Sequence, residues 1–356
     1  MKRYLLALAA LSVAAACGDS AKQDAGSTPA AQTAATTSGA DLTGAGATFP
    51  APLYSRWFND YAARTGVKIN YQSIGSGGGI RQLTEQTVDF GATDAPMSDA
   101  ELAKSKAGPI LHFPMTLGAV VITYNLPGVT TPLKLTGDVV AAIYQGQITR
   151  WNDPRIAALN SGVSLPATDI LVVHRSDGSG TSYVFTDYLA AVSPAWATKP
   201  GKGKEVQWPA GLGAKGNDGV TGQVKQTPGA IGYVELAYAN QNKLATALLR
   251  NAAGEFVAPT IASVTAAAAG AAAALPATTD YRVSIVNATG AGAYPISSFT
   301  WIIVYQHQTD AAKAKKLTDF LRWAITDGQA SSAALDYAPL PESMRTALVQ
   351  RLATIQ

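Results

Sequence analysis

The sequence predicts an α/β fold, on three observations. Short β-like runs alternate with helix-like runs from Asp41 onward, glycine-rich turns join them, and several helices open on glycine and hydroxyl residues. Thr48 before Pro50 and Pro52 reads as a helix start; Leu53, Trp57 and Tyr61 then fall four apart on one face, and Gly66 is the stop signal. Val67 to Tyr71 alternates like a half-buried strand. Ser76-Gly-Gly-Gly79 follows, and Ile80, Leu83 and Val88 recur at near-helical spacing, so the order there is strand, glycine loop, helix. Thr136 caps a short helix through Ile143 that Gly146 closes. Ile170 to Val173 repeats the plan as a strand, Asp177-Gly-Ser-Gly180 as the loop, and Val184, Phe185, Tyr188, Leu189 and Val192 as the helix before Pro194. Trp301 to Tyr305 is a buried strand, and Leu317, Phe320, Leu321, Ala324 and Ile325 mark a late amphipathic helix closed by Gly328. The Ala-rich stretch 262–274 fits helix or loop and suggests no function.

The start of the chain is of another kind. Met-Lys-Arg, the apolar stretch Tyr4 to Ala16 and a small-residue site before Cys17 have the layout of a secretory signal over residues 1–16, too short for a permanent span of ~20 residues. Cys17 is the only cysteine of 356 residues, so no disulfide can form within the chain. Its place at the cleavage point leaves two readings: acylation of Cys17, as in a bacterial lipoprotein, or ordinary cleavage beside an incidental cysteine. Residues 17–40 are almost all small or polar and read as a flexible tether. The formal charge of +3 includes Lys2 and Arg3, and the remaining basic residues are scattered, which argues against nucleic acid. His112, His174 and His307 lie far apart without metal-ligand spacing, so neither a metal nor another cofactor is expected.

The chemistry sits in the loops that open helices. A helix N-terminus presents unpaired N–H groups and about half a positive charge, which suits phosphate, sulfate or carboxylate. Thr48, Ser76, Ser179 and Thr181 add hydroxyls at three such points. Arg175, at a strand end, could give an oxyanion a bidentate contact, and Asp177 is a natural partner to fix its guanidinium. Taken one at a time, each loop reads as well as a surface turn, Thr48 as a helix cap, and Arg175 with Asp177 as a surface pair; the combination favours an anion site.

Two enzymatic motifs fail. The hydrolase elbow needs Gly-x-Ser-x-Gly, but Ser179 stands between Asp177 and Thr181 at two residues' distance, and Ser76 has Ile74 before it. His174 and Arg175, neighbours on a strand end, should face opposite ways, which turns His174 from whatever Arg175 binds. Gly211 to Gly216 (GLGAKG) matches a dinucleotide spacing, yet QWPA before it and NDGVTG after it suggest a turn-rich loop.

At TGAGATFPAPLY, IGSGGGIRQL, VDFGATDAPMS, RSDGSGTSYVF, GKGNDGV and PGAIGYVE, in this order, the chain from about Asp41 to its end resembles the phosphate-binding proteins of bacterial high-affinity phosphate ABC transporters. The resemblance implies a two-lobed periplasmic-binding-protein fold, each lobe a β-sheet flanked by helices, with dehydrated phosphate in the cleft between lobes. It implies crossings near Ile122 to Asn125 and Val283 to Asn287: lobe 1 would comprise residues 41–123 and 284–356, lobe 2 residues 124–283. It further implies that Thr48, Phe49, Ser76, Ser179, Gly180 and Thr181 donate to phosphate and that Arg175, held by Asp177, supplies the charged contact. Asp94 in GATDAP would accept the proton of hydrogen phosphate, which sulfate lacks; without the resemblance it reads as an acid in a turn before Pro96. The implied role is that of a monomeric, non-enzymatic receptor in the periplasm or at the cell surface, either free or anchored to the membrane by lipid at Cys17, that delivers inorganic phosphate to a membrane permease with its own ATPase. Two departures stand out: His174 precedes the arginine where a second basic residue is expected, and the 262–274 stretch is unusually rich in alanine. The rival readings are a secreted phosphatase or other phosphoryl-transfer enzyme using Ser76 or Ser179, and a receptor for another oxyanion such as sulfate.

Overall fold

The computed structural model describes residues 41–272 and 280–356. The expected signal 1–16, Cys17 and the tether 17–40 lie outside the described residues, as does the end of the Ala-rich stretch, whose earlier part is helical at Ile261–Ala272. Twelve strands are formed among the described residues: β1 (Leu42–Gly46), β2 (Ile69–Ser73), β3 (Phe90–Thr93), β4 (Ile110–Tyr124), β5 (Lys134–Leu135), β6 (Leu171–Arg175), β7 (Leu212–Ala214), β8 (Ala230–Glu235), β9 (Ala245–Thr246), β10 (Leu248–Arg250), β11 (Phe256–Val257) and β12 (Ser297–Tyr305).

One continuous hydrogen-bonded path runs β2-β1-β3-β12-β4-β8-β6-β7, with β9 alongside β4; β11-β10-β5 form a small separate sheet. β4 is the shared member. Its first part, Ile110 to Ala119, pairs antiparallel with β12, and its last five residues, Val120 to Tyr124, pair with β8. All nine residues of β12 are buried, and all of β4 but Leu111. With both faces covered, no alternation of apolar and polar residues is selected along these strands, and their polar residues His112, Thr116, Thr123, Ser297, Ser298 and Thr300 are buried as well.

Around β4 the sheet is built from parallel strands joined by helices, the connection parallel pairing requires. β1 pairs in parallel with β2 and β3, and β6 with β7 and β8. The helix Ala51–Thr65 joins β1 to β2, the helix Ser76–Thr84 joins β2 to β3, and the helices Gly180–Val192 and Gly216–Gln226 follow β6 and β7. Apolar spacing locates their packed faces: Leu53, Trp57 and Tyr61 are buried in the first, and Val184, Phe185, Tyr188 and Leu189 in the third. Aromatic rings brace each side, Phe58 against Phe320 (centroids 5.4 Å apart) on one and Phe185 against Tyr233 (4.3 Å) on the other.

Three local expectations need correction. Thr48 does not cap the first helix, which begins at Ala51 with Pro50 at its cap position; the two prolines fix the start. The half-buried strand is β2, two residues later than Val67 to Tyr71. GLGAKG is no turn-rich loop: it holds β7 and opens the helix Gly216–Gln226, whose Val220 and Val224, four apart, are both buried.

Candidate functional site

Parallel strands deliver their following loops to one edge of a sheet, and ligands of open α/β sheets gather there. In this chain Thr48 follows β1, Ser76 follows β2, Asp94 follows β3, Arg175 ends β6 and Asn217 follows β7. Because β12 is antiparallel to β3 and β4, and β8 antiparallel to β4, the strands β6 and β7 run opposite to β1, β2 and β3, and the two sets of loops face each other. Among them Thr48, Ser76, Asp94, Arg175, Ser179 and Thr181 are each at most 3 % exposed, a concentration of polar groups that a core avoids unless they serve one another or a ligand.

The Arg175 guanidinium is held as a fork. Its Nε donates to Asp177 Oδ1 (2.7 Å), Nη2 to Asp177 Oδ2 (2.5 Å) and Nη1 to the Thr181 hydroxyl (3.4 Å). Gly216 N–H adds a 3.0 Å bond to Asp177 Oδ1. Burial alone would raise the Asp177 carboxyl, but the Arg175 contact and charge hold it below its usual range. Arg175 N–H is anchored on Tyr233 Oη (3.0 Å), whose ring stacks in the aromatic group with Phe185. His174 turns the other way and stacks on Trp208 at 4.8 Å, as strand alternation requires.

Ser179 is the N-cap of the helix Gly180–Val192, accepting from Ser182 N–H at 2.9 Å. This leaves the Gly180 and Thr181 amides at the positive end of the helix dipole. Opposite, Gly75 at φ 89° turns the chain into the helix that begins at Ser76, so those amides face the same space. Gly180 touches the far wall directly: a Cβ there would lie 2.5 Å from Asp94 Oδ2 and still closer to Ser76 Oγ. Gly77 N–H donates to Gly178 carbonyl (2.8 Å), Tyr238 Oη to Thr48 carbonyl (2.6 Å), and Lys204 pairs with Glu101 at 2.7 Å, so the two walls meet by direct bonds.

Asp94 is the acid of this otherwise donor-rich edge. Its Oδ1 accepts from the Thr300 hydroxyl at 2.8 Å, its N–H donates to Ser76 Oγ at 3.2 Å, and Oδ2 is buried with no hydrogen-bond partner. Burial pushes its carboxyl up to about 7, although the Thr300 contact and the Arg175 charge both favour the ionised form. A cavity of about 210 Å³ reaches Asp94 past Tyr183, Lys202, Arg282 and Ser284. Phe49 is fully buried, with its carbonyl accepting from Tyr337 Oη at 2.7 Å.

All eight expected contact residues and Asp177 thus gather at one place. Sequence reasoning missed Asn217, fully buried between Thr48 and Thr181, together with Thr300, which holds Asp94. The Val220 and Val224 spacing could have revealed the helix that carries Asn217. Thr300 adjoins the apolar run Trp301 to Tyr305 and is hidden as one more strand residue. No group of three or more His, Cys, Asp or Glu side chains suited to a metal ion occurs among the described residues.

Residues 28–328 match the model of the PBP superfamily domain. The chain is 48 % identical over 301 residues to phosphate-binding protein PstS of Xylella fastidiosa (strain Temecula1), covering 84 % of this chain and 81 % of the relative. It is 43 % identical to phosphate-binding protein PstS of Haemophilus influenzae, over 83 % of this chain and 88 % of the relative. Among solved structures it is similar to a high affinity periplasmic phosphate-binding protein (PfluDING) bound with phosphate, with TM-score 0.69, 23 % identity and coverage of 86 % and 92 % of the two chains. An ABC-type phosphate transport receptor from Vibrio cholerae gives TM-score 0.55 at 19 % identity, over 84 % and 100 %. At these identities the two structures speak for the α/β periplasmic-binding-protein fold.

Proposed function

The chain belongs to the PstS family of phosphate-binding proteins, and from that premise we propose that it is the extracytoplasmic receptor of a phosphate ABC importer, binding inorganic phosphate without chemical turnover. The observation that carries the ligand assignment is Asp94: a buried carboxyl with one free oxygen, facing the helix end at Gly180. An anion bound among Thr48, Phe49, Ser76, Arg175, Ser179, Gly180 and Thr181 meets donors everywhere except at Asp94. Hydrogen phosphate carries its own donor for that position, whereas sulfate would oppose acceptor to acceptor. A site built to pair with a ligand's OH can reject the analogue lacking it by ~10⁴–10⁵.

The lobe division follows the same proposal: residues 41–123 with 284–356 as one lobe and 124–283 as the other. The change of partner along β4, from β12 to β8, supports a crossing in that strand. Walls that meet by direct bonds suit a receptor that closes on its ligand and reopens to deliver it to a membrane permease. Export, with acylation of Cys17 as the anchor, completes the reading. Mass spectrometry of the mature N-terminus decides the anchor, since diacylglycerol on Cys17 and a free cysteine differ by hundreds of daltons.

Titration calorimetry on ligand-stripped protein tests the function. Tight binding of phosphate with sulfate weaker by at least about 10³-fold supports it. Equal affinities would refute the role of Asp94, and steady release of phosphate from an ester, abolished by Ser179→Ala, would refute the receptor reading.

A further inference from the structure

We propose that Asn217 is a positioning residue that forces the Thr48 and Thr181 hydroxyls, one on each wall, to act as donors toward the bound anion. The proposal rests on the phosphate reading and names a residue that reading does not require. A threonine hydroxyl has one hydrogen and two acceptor lone pairs, so left alone it can present either to a ligand. Thr48 Oγ1 accepts twice from Asn217, from the side-chain amide at 2.7 Å and from the backbone N–H at 3.2 Å. Thr181 Oγ1 accepts from the same side-chain amide at 3.1 Å and from Arg175 Nη1 at 3.4 Å. With both lone pairs occupied, each hydroxyl keeps only its hydrogen to offer.

The amide itself cannot flip. Asn217 Oδ1 accepts from Glu235 N–H at 3.0 Å, so exchanging its oxygen and nitrogen would set donor against donor there and acceptor-capable oxygens together at the threonines. Glu235 lies opposite Val120, where β4 begins to pair with β8. The sense of both hydroxyls is therefore set from a strand held in the middle of the sheet. Asn217 is fully buried, so water does not compete for these bonds. The effect is to give the edge a single polarity: hydroxyls that could have accepted a proton from the ligand are turned into donors, and Asp94 is left as the acceptor.

The same bonds tie Thr48, after β1, to the helix after β7, so part of the bridge forms only when the walls meet. An asparagine that served only through its bond from Glu235 N–H would stabilise the fold without regard to which threonine hydroxyls are present. The two roles separate in a double-mutant cycle.

Calorimetry with inorganic phosphate on ligand-stripped full-length protein compares the parent, Asn217→Ala, Thr48→Val and the double variant. Asn217→Ala should weaken phosphate about 10-fold in the parent and no more than about 3-fold beside Thr48→Val, because only the Thr181 hydroxyl is then left for it to orient. Equal losses in both backgrounds would overturn the proposal, as would unchanged affinity in Asn217→Ala. Should the alanine variant fail to fold, the isosteric Asn217→Asp serves: it replaces amide donors with acceptors and should cost on the order of 100-fold, and an affinity within about 3-fold of the parent would overturn the proposal equally. A parent that does not bind phosphate would instead defeat the functional reading.

Discussion

Replacing Asp94 by asparagine keeps its shape and removes its charge, so it separates what the carboxylate costs the fold from what it gives the ligand. The carboxyl is raised from 3.8 to about 7 by burial, which corresponds to about 4 kcal/mol of stability withheld from the ligand-free protein at alkaline pH. The folded state keeps the proton that the unfolded chain gives up, so this contribution is fully present below about pH 4, falls as pH rises towards 7, and is absent above that. An asparagine at this position cannot ionise. The advantage of Asp94→Asn over the parent should therefore be about 4 kcal/mol larger at pH 8 than at pH 4, read from urea unfolding of ligand-free protein at the two pH values. In binding the order reverses: phosphate weakens and sulfate strengthens, since an amide can turn its NH₂ to an acceptor. The parent's sulfate affinity should itself rise about 10-fold from pH 8 to pH 6, as the protonated fraction of Asp94 grows from about a tenth to about nine tenths. A stability difference independent of pH, or sulfate binding flat across that range, would show that Asp94 is not the titrating group and would refute the reasoning.

Three further outcomes follow from the same geometry. Arg175→Ala should lower phosphate affinity by at least about 100-fold in calorimetry, and Arg175→Lys should recover only part, because an ammonium cannot reproduce the two-pronged hold on Asp177; unchanged affinity in the alanine variant would remove Arg175 from the site. Gly180→Ala puts a methyl 2.5 Å from Asp94 Oδ2, so it should leave the ligand-free protein folded by circular dichroism while abolishing phosphate binding; retained affinity would mean that the walls can meet differently. Phosphate affinity should vary by less than about 3-fold between ~0.05 and ~0.5 M sodium chloride, since screening acts on exposed charges beyond a Debye length and not on a buried set of contacts; a steep salt dependence would place the ligand at the exposed rim.

Most of the architecture was legible because it is local. Glycine and proline punctuate the chain where β1, β2 and β6 give way to helix, and residues four apart mark the helices that β1 and β6 feed. What sequence reasoning lost were contacts that only the sheet order creates. Asn217 is 169 residues from Thr48 and 36 from Thr181, and Thr300 is 206 from Asp94; no periodicity relates residues that adjoin because their strands neighbour in the sheet. The GLGAKG segment shows a subtler loss. Its glycines obscured a three-residue strand, and the asparagine after them looked like more turn, although Val220 and Val224 behind it already had the helical spacing. The acceptor role of Asp94 was legible only through the resemblance, and its raised carboxyl was not legible at all: that comes from burial, which the flanking GAT and AP cannot disclose.

On the proposed phosphate reading, the charges at the site call for hydroxyls and amides beside its one arginine. Arg175 is neutralised by Asp177, held by two bonds, and an ionised Asp94 would leave the three groups with a net negative charge. A doubly charged anion cannot be retained there by charge balance. On that reading oriented dipoles add to the Arg175 contact: amides at the starts of the Ser76–Thr84 and Gly180–Val192 helices, and the hydroxyls proposed above to be fixed as donors. Such donors are effective because burial denies them water as an alternative partner, and the burial that strengthens them is the same burial that raises Asp94. On this reading the acid that penalises the ligand-free fold and the donors proposed to hold the ligand are two results of one dry site.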